Sequence, residues 1–206
     1  MCGRYYIDDD TAREIEKLVR QVDEKMRQAS AAGNSVQAKD IHPSEVAPVI
    51  TTEGQNLCCR WLKWGFPGFS GKQLIFNARS ESVMEKRMFR DSVEHRRIVV
   101  PAKWFYEWNK SKEKNIFYRK GQPVLYMAGL YKRYQDGNRF VILTTEANDS
   151  MRQVHDRMPL VLERDEINKW LKEDLLVEAF LQKVPPLLER RTDFEQMSLF
   201  ASENSR

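Results

Sequence analysis

The spacing of hydrophobic positions changes several times along the chain. "GRYYI" at residues 3–7 reads as a short strand, and from Thr11 onward Ile15, Leu18, Val19, Val22 and Met26 recur at helical spacing. Thr11 and Glu14 form a candidate capping box for that helix, whose apolar stripe predicts core contact and which ends near "SAAGNS" at 30–35. Strand-like runs follow: "EVAPVIT", "LCCRWLKWGF", "QLIFNA", "RIVVPAKWFYEW", "NIFYRK", "PVLYMAGLY", "RFVILTTE" and "MPLVLE". Each is rich in β-branched or aromatic residues, and turn residues such as "TEGQN" and "QDGN" separate them. Between them "SESVMEKRMFRDSVEH" (80–95) predicts a helix with Val83, Met84, Met88 and Phe89 on one side. "RDEINKWLKEDLLVEAFLQK" predicts more helix, stopped by Pro185 and Pro186, so that 163–206 reads as a helical C-terminal segment. Many strands and few helices imply a single α+β domain over 1–206, with a mainly antiparallel, barrel-like β core and peripheral helices.

Composition narrows the class. Hydrophobic residues make up 41% and charged residues 31%, a balance that excludes a disordered chain. No apolar run reaches the ~18 residues of a membrane span, and "DDDTAREIEK" does not fit a secretory signal, so no membrane partner and a cytoplasmic location are expected. Cys2, Cys58 and Cys59 suit free thiols in a reducing compartment. His42, His95 and His155 share no metal-ligand spacing with them, and neither metal nor cofactor is expected. A net charge of +4 permits a nucleic-acid partner without requiring one.

Candidate chemistry begins at Cys2, directly behind Met1. Removal of Met1 would leave an α-amine and a thiol on adjacent carbons, titrating near ~7.7–8.0 and ~8.5 when unperturbed, so that both are partly nucleophilic at neutral pH. A poorly ordered terminus is the plain alternative. Three polar residues interrupt apolar runs. Asn77 in "LIFNARSE" either caps a following helix or orients a substrate oxygen or the terminal amine. Glu107 in "AKWFYEWNK" is a carboxylate among aromatics, suited to acid or base work if it faces inward, or a wet-face residue if the strand simply alternates. His155 in "VHDRMPLVL" changes charge near neutral pH beside Arg157, a partner for anions; a surface or structural histidine is the alternative.

In this order "MCGRY", "FNARSE" after a "WG" strand end, "WFYEW" and "HDRMPLVL" resemble the SOS response-associated peptidase family, whose members are also described as abasic-site processing proteins. The resemblance runs from residue 2 to about 165. It implies a β-barrel-like core with the processed N-terminal cysteine at the floor of a channel for single-stranded DNA. It also implies a catalytic set at Cys2, Asn77, Glu107 and His155, and phosphate-contacting arginines at Arg4, Arg79 and Arg157. "FPGF" stands where members carry an aromatic pair, making Phe66 or Phe69 the candidate wedge between DNA strands. The expected partner is single-stranded DNA with an abasic site, met by a monomer at the nucleoid. The expected outcome is a thiazolidine crosslink to Cys2, with self-cleavage a candidate route for the removal of Met1. Two other classes stay open: an N-terminal nucleophile hydrolase, and a module that binds DNA without turnover.

Overall fold

All six residues of Arg97–Ala102 are buried, a continuous run that an alternating surface strand would not give. The computed structural model, which describes residues 2–19, 37–68 and 73–192, accounts for it by covering this strand on both faces. In chain order the elements are β1 (Tyr5–Ile7), α1 (Asp9–Leu18), β2 (Lys39–Ile41), β3 (Val46–Glu53), β4 (Asn56–Trp64), β5 (Phe66–Pro67), β6 (Leu74–Ile75) and β7 (Asn77–Arg79). After them come α2 (Arg90–His95), β8 (Arg97–Ala102), β9 (Trp104–Trp108), β10 (Lys114–Tyr118), β11 (Leu125–Tyr134), β12 (Gly137–Glu146), β13 (Arg157–Pro159) and β14 (Val161–Leu162). The chain finishes with α3 (Ile167–Lys172), α4 (Val177–Leu181) and β15 (Glu189–Thr192).

Strands β12, β4, β3, β8 and β11 are hydrogen-bonded in that order, and β11 pairs back onto β12, so the sheet closes into a ring. Closure removes the unpaired edges that an open sheet presents. Alternate residues point to two different cores. Val49, Leu62, Ile98, Val100, Met127 and Ile142 join Tyr5, Phe105 and Phe117 of a second sheet, ordered β15-β10-β9-β1-β2. Their neighbours Ile50, Val99, Ala128 and Val141 pack instead with Val93, Trp170 and Phe180 of the helices. The expected α+β class and barrel-like core are what the structure has.

Several local expectations differ. The cap of α1 is Asp8, whose carboxylate accepts from the Thr11 amide at 3.0 Å while the Thr11 hydroxyl accepts from the Asp8 amide at 3.2 Å. Thr11 is therefore the third residue of the capping box and not its first, because the Asp8 carboxylate one turn earlier already accepts from the Thr11 amide. Glu14 is buried, accepting from the Tyr126 hydroxyl at 3.2 Å. Val22, Met26 and the expected helix end lie outside the described residues. The stretch 80–95 is not one helix but a 3-10 turn at Ser80–Ser82 and the short α2, and 164–183 is likewise broken where Glu173 turns extended at φ −101, ψ 98. The C-terminal segment is not helical throughout: past the two prolines the chain forms β15 against β10.

Gly65, at the corner between β4 and β5, has φ +110, and a Cβ there would stand 2.5 Å from Leu74 Cγ. Gly65→Ala is expected to destabilise the protein by about 2–4 kcal/mol in urea unfolding, combining backbone strain with overpacking. The corner also positions the site, since the adjacent Trp64 indole donates to the Phe76 carbonyl at 2.9 Å, one residue before Asn77.

Candidate active site

Cys2 lies ahead of β1 in a segment that continues that strand's pairing with β9, the Tyr106 amide donating to the Arg4 carbonyl at 3.0 Å. This brings the N-terminus into the barrel's core, where Cys2 is only 1% exposed. Its thiol donates to the Arg4 carbonyl at 3.7 Å. Burial, reinforced by the Glu107 carboxylate, holds the thiol well above its ordinary range.

The three residues singled out with it converge there from separate elements. Asn77 opens β7, which runs parallel to β12, and its side-chain amide donates to the Cys2 carbonyl at 2.9 Å. It does not cap a helix, and its Oδ1 is buried without a partner among the described residues. Glu107 lies on β9 opposite Asn115 of β10 and is 3% exposed, so the wet-face alternative is excluded. Simple alternation fails at this strand because both of its faces are covered. His155 ends a turn that begins at Asn148, where the Met151 amide donates to the Asn148 carbonyl and the His155 amide to the Met151 carbonyl. Asn148 anchors the turn by donating to the Pro185 carbonyl at 2.9 Å.

The imidazole faces the carboxylate. His155 Nδ1 accepts from the Arg157 amide at 2.9 Å, which places the hydrogen of the neutral ring on Nε2, 3.9 Å from Glu107 Oε1. Asp156 Oδ1 also lies 2.8 Å from Nδ1, a contact that becomes a bond when the ring is doubly protonated; that carboxylate is largely exposed and screened by water. The half-buried ring opens onto a cleft of about 700 Å³ bordered by Trp108, Lys110 and Arg152. A buried thiol, an amide on its backbone, and an adjacent acid–base pair can activate a nucleophile and move protons within one site.

The arginines fall into two situations. Arg4 lies over the Trp108 ring at 5.1 Å, with Asp40 3.9 Å away, and its side chain is one-third exposed. Arg79 is exposed at the end of β7. Arg157 is engaged: it forms a bidentate pair with Glu81 at 2.6 and 2.8 Å and also donates to the Thr144 carbonyl. Burial pushes Glu81 up, but the bonds from Arg157 prevail and leave its carboxyl below the ordinary value. Two of its guanidinium nitrogens are thus engaged beside the end of β7. Nothing in the spacing of "NARSE" points to a partner for Glu81 that lies 76 residues away.

Phe66 cannot act as the expected wedge. It is fully buried on β5, its ring 5.5 Å from that of Tyr134 and 6.0 Å from that of Phe89. The hydrophobic gain from burying the whole ring exceeds any from a solvent-facing position. Phe69 lies outside the described residues. Trp61 is half-buried on β4, and Trp64 takes the core position. Among the described residues no group of three His, Cys, Asp or Glu is placed to hold a metal, and no helix is long and apolar enough to cross a membrane.

The chain resembles known proteins along most of its length. The family described as SOS response associated peptidase (SRAP) matches residues 1–198. "Abasic site processing protein YoaM" of Bacillus subtilis is 29% identical over 198 residues, covering 89% of this chain and 85% of the relative. "Abasic site processing protein YedK" of Escherichia coli is 28% identical over 145 residues, 66% of this chain and 65% of the relative. A crystal structure from Bacteroides thetaiotaomicron superposes with a TM-score of 0.78 over 95% of this chain and 94% of that one, at 22% identity, which shows the shared fold.

Proposed function

Given that the chain belongs to the SOS response associated peptidase family, we propose that it captures abasic sites in single-stranded DNA as a covalent thiazolidine at Cys2. The observation that carries this reading is the meeting of Cys2, Asn77, Glu107 and His155 from four distant segments. The relatives' names, which speak of abasic site processing, point the same way.

An abasic sugar equilibrates between a closed hemiacetal and a ring-opened aldehyde. Loss of Met1 frees the Cys2 amine, which adds to the aldehyde carbon and expels water to form an imine. The Cys2 thiol gives up its proton as its sulfur bonds to that carbon, the imine π electrons move to nitrogen, and nitrogen takes a proton, closing a five-membered ring. One water leaves and no oxidant is needed. His155 shuttles the proton that opens the sugar, and Glu107 takes and returns protons at the amine and imine. Asn77 steadies the terminus. Arg4 and Arg79 hold flanking phosphates, contacts that position a strand without reading its bases. Self-cleavage between Met1 and Cys2 belongs to the same proposal, and the intact mass of the purified protein reports it.

The test is a single-stranded oligonucleotide with one abasic site, incubated with protein that has lost Met1 and run on a denaturing gel. A retarded, heat-stable band is expected. Glu107→Gln keeps the shape and removes the base, and should slow band formation about 10²–10⁴-fold. Binding to intact strands with no adduct on abasic ones would leave only a DNA-binding module.

A further inference from the structure

Phe105 of β9 turns into the core and Glu107 toward His155, so Trp104, Tyr106 and Trp108 turn to the opposite face of the second sheet. Tyr6 of β1 lies opposite Trp104 in register, and Arg191 of β15 lies opposite Ile116, itself opposite Tyr106, so these share that face. Tyr106 and Ile116 are buried yet belong to neither core. What lies against Tyr106 comes from the same face: its hydroxyl donates to Asp40 at 2.8 Å, and the cations of Arg4 and Lys114 stand 5.9 and 5.7 Å from its ring.

Along β9 one unit occurs twice. At the end beside the His155 cleft, the Arg4 guanidinium lies 5.1 Å from the Trp108 ring. Four residues back, about 13 Å along an extended strand, the Arg191 guanidinium lies 5.9 Å from the Trp104 ring. That ring is held in place by stacking on Tyr6 at 4.3 Å, the two planes 5° apart. Arg191 is exposed and sits near the ~6 Å limit for a cation over a ring, so it can turn to a phosphate and leave the ring to a base. A ring beside a guanidinium is what one nucleotide of a single strand engages, through its base and its phosphate. Among the described residues, Arg4, Lys114 and Arg191 are set on this face against Asp40, engaged by Arg4 and Tyr106, and the exposed Glu189. Cations placed over the rings favour a polyanion above a protein partner, and Arg4 joins the face to the site. We propose that Tyr6, Trp104 and Arg191 form a second station for the strand held at Cys2, the rings stacking a flanking base and the guanidinium holding its phosphate. This rests on the reading of the Cys2 site as one for single-stranded DNA and extends it to a defined flank.

The test uses single-stranded oligonucleotides with one tetrahydrofuran residue, an abasic analogue that has no aldehyde, so that fluorescence anisotropy reads equilibrium binding without crosslinking. Lengthening one flank from two to eight nucleotides should tighten binding about tenfold, the effect of one stacked base, and lengthening the other should do less. Trp104→Ala should cancel that gain, and Trp104→Phe, which keeps a ring, should retain most of it. Arg191→Gln, at an exposed position that does not threaten the fold, should flatten the dependence of log affinity on log salt by about 0.7 for the long strand and leave it unchanged for the short one. The absence of a flank gain, a gain that survives Trp104→Ala, or a salt dependence untouched by Arg191→Gln overturns the proposal. Flank-dependent binding lost in Trp104→Ala, with no adduct on a true abasic strand, would keep the station and refute covalent capture. Adduct formation without flank dependence would keep the capture and refute the station.

Discussion

Cys2→Ser is expected to abolish the heat-stable adduct with abasic DNA, a loss on the order of 10³-fold or more at the gel's detection limit. The substitution keeps the α-amine, so an imine still forms, but a serine hydroxyl stays protonated at neutral pH and closes the ring far less readily than a thiolate. An imine without the second bond reverses in water. Reduction with borohydride should therefore trap a band with Cys2→Ser that is absent without the reductant. That contrast separates the two nucleophiles: the amine's contribution survives the substitution and the sulfur's does not. Retention of Met1 should remove both bands, since it acylates the amine. The rate with unmodified Cys2 should rise from pH 6 to 8, because an α-ammonium titrating near ~7.7–8.0 must lose its proton before it can attack. A Cys2→Ser protein that gave the same heat-stable band without reductant would show that the ring does not close through sulfur.

On the proposed reading, the burial of Cys2 makes its chemistry selective. A thiol held above its ordinary range by burial and by Glu107 is largely protonated at rest, which protects it from oxidation and from passing electrophiles. Reactivity then depends on partners brought up by the fold. Glu107 lies on β9 of the second sheet and His155 in the turn before β13, and that turn is anchored by Asn148 to the segment leading into β15, which pairs with β10, the neighbour of β9 and Glu107. The acid–base pair is thus tied from both sides through the C-terminal segment.

Much of this was legible in the sequence because most strands are read by local period: "EVAPVIT", "PVLYMAGLY" and "RFVILTTE" each coincide with one strand. What local period missed was decided at a distance. "RIVVPAKWFYEW" is two strands, the chain leaving the barrel at Lys103 for the second sheet, where the lysine is held by Asp8 at 3.2 Å and by Asp10. The broken helices at 80–95 and 164–183 carry good helical spacing, but their apolar residues are drawn to different parts of one core. For the site, each candidate alone had an ordinary alternative. Asn77 as a cap and Glu107 as a wet residue were overturned by contacts spanning 75 residues and by cover on both faces of β9, neither visible in spacing. Phe66 shows the reverse: a residue type suited to stacking on DNA that the fold places in the core.

The second large effect is structural. Arg97→Met is expected to cost about 3–5 kcal/mol of stability, measured by urea unfolding at unchanged slope. The Arg97 side chain is 4% exposed and joins two helix ends. Its Nη1 donates to the carbonyls of Val93 and Glu94 at the end of α2, at 2.9 and 3.0 Å, and its Nε to the Trp170 carbonyl near the end of α3, at 2.6 Å. Helix C-termini leave carbonyls unsatisfied and carry partial negative charge, so one guanidinium serves as donor and counter-charge to both. Trp170 returns the connection by donating from its indole to the Ile98 carbonyl, fixing α3 against β8. Methionine fills similar volume but strands these acceptors away from water. Lysine keeps the charge, but its compact ammonium cannot span both helix ends, and should recover only part of the loss. Asp174→Asn should cost under about 1 kcal/mol although Asp174 bonds the same guanidinium at 2.6 Å, because its carboxylate is 82% exposed. The ordering Met worse than Lys, with Asn nearly neutral, identifies the helix carbonyls as the source of the stabilisation; a loss as large in Asp174→Asn would assign it to the ion pair instead.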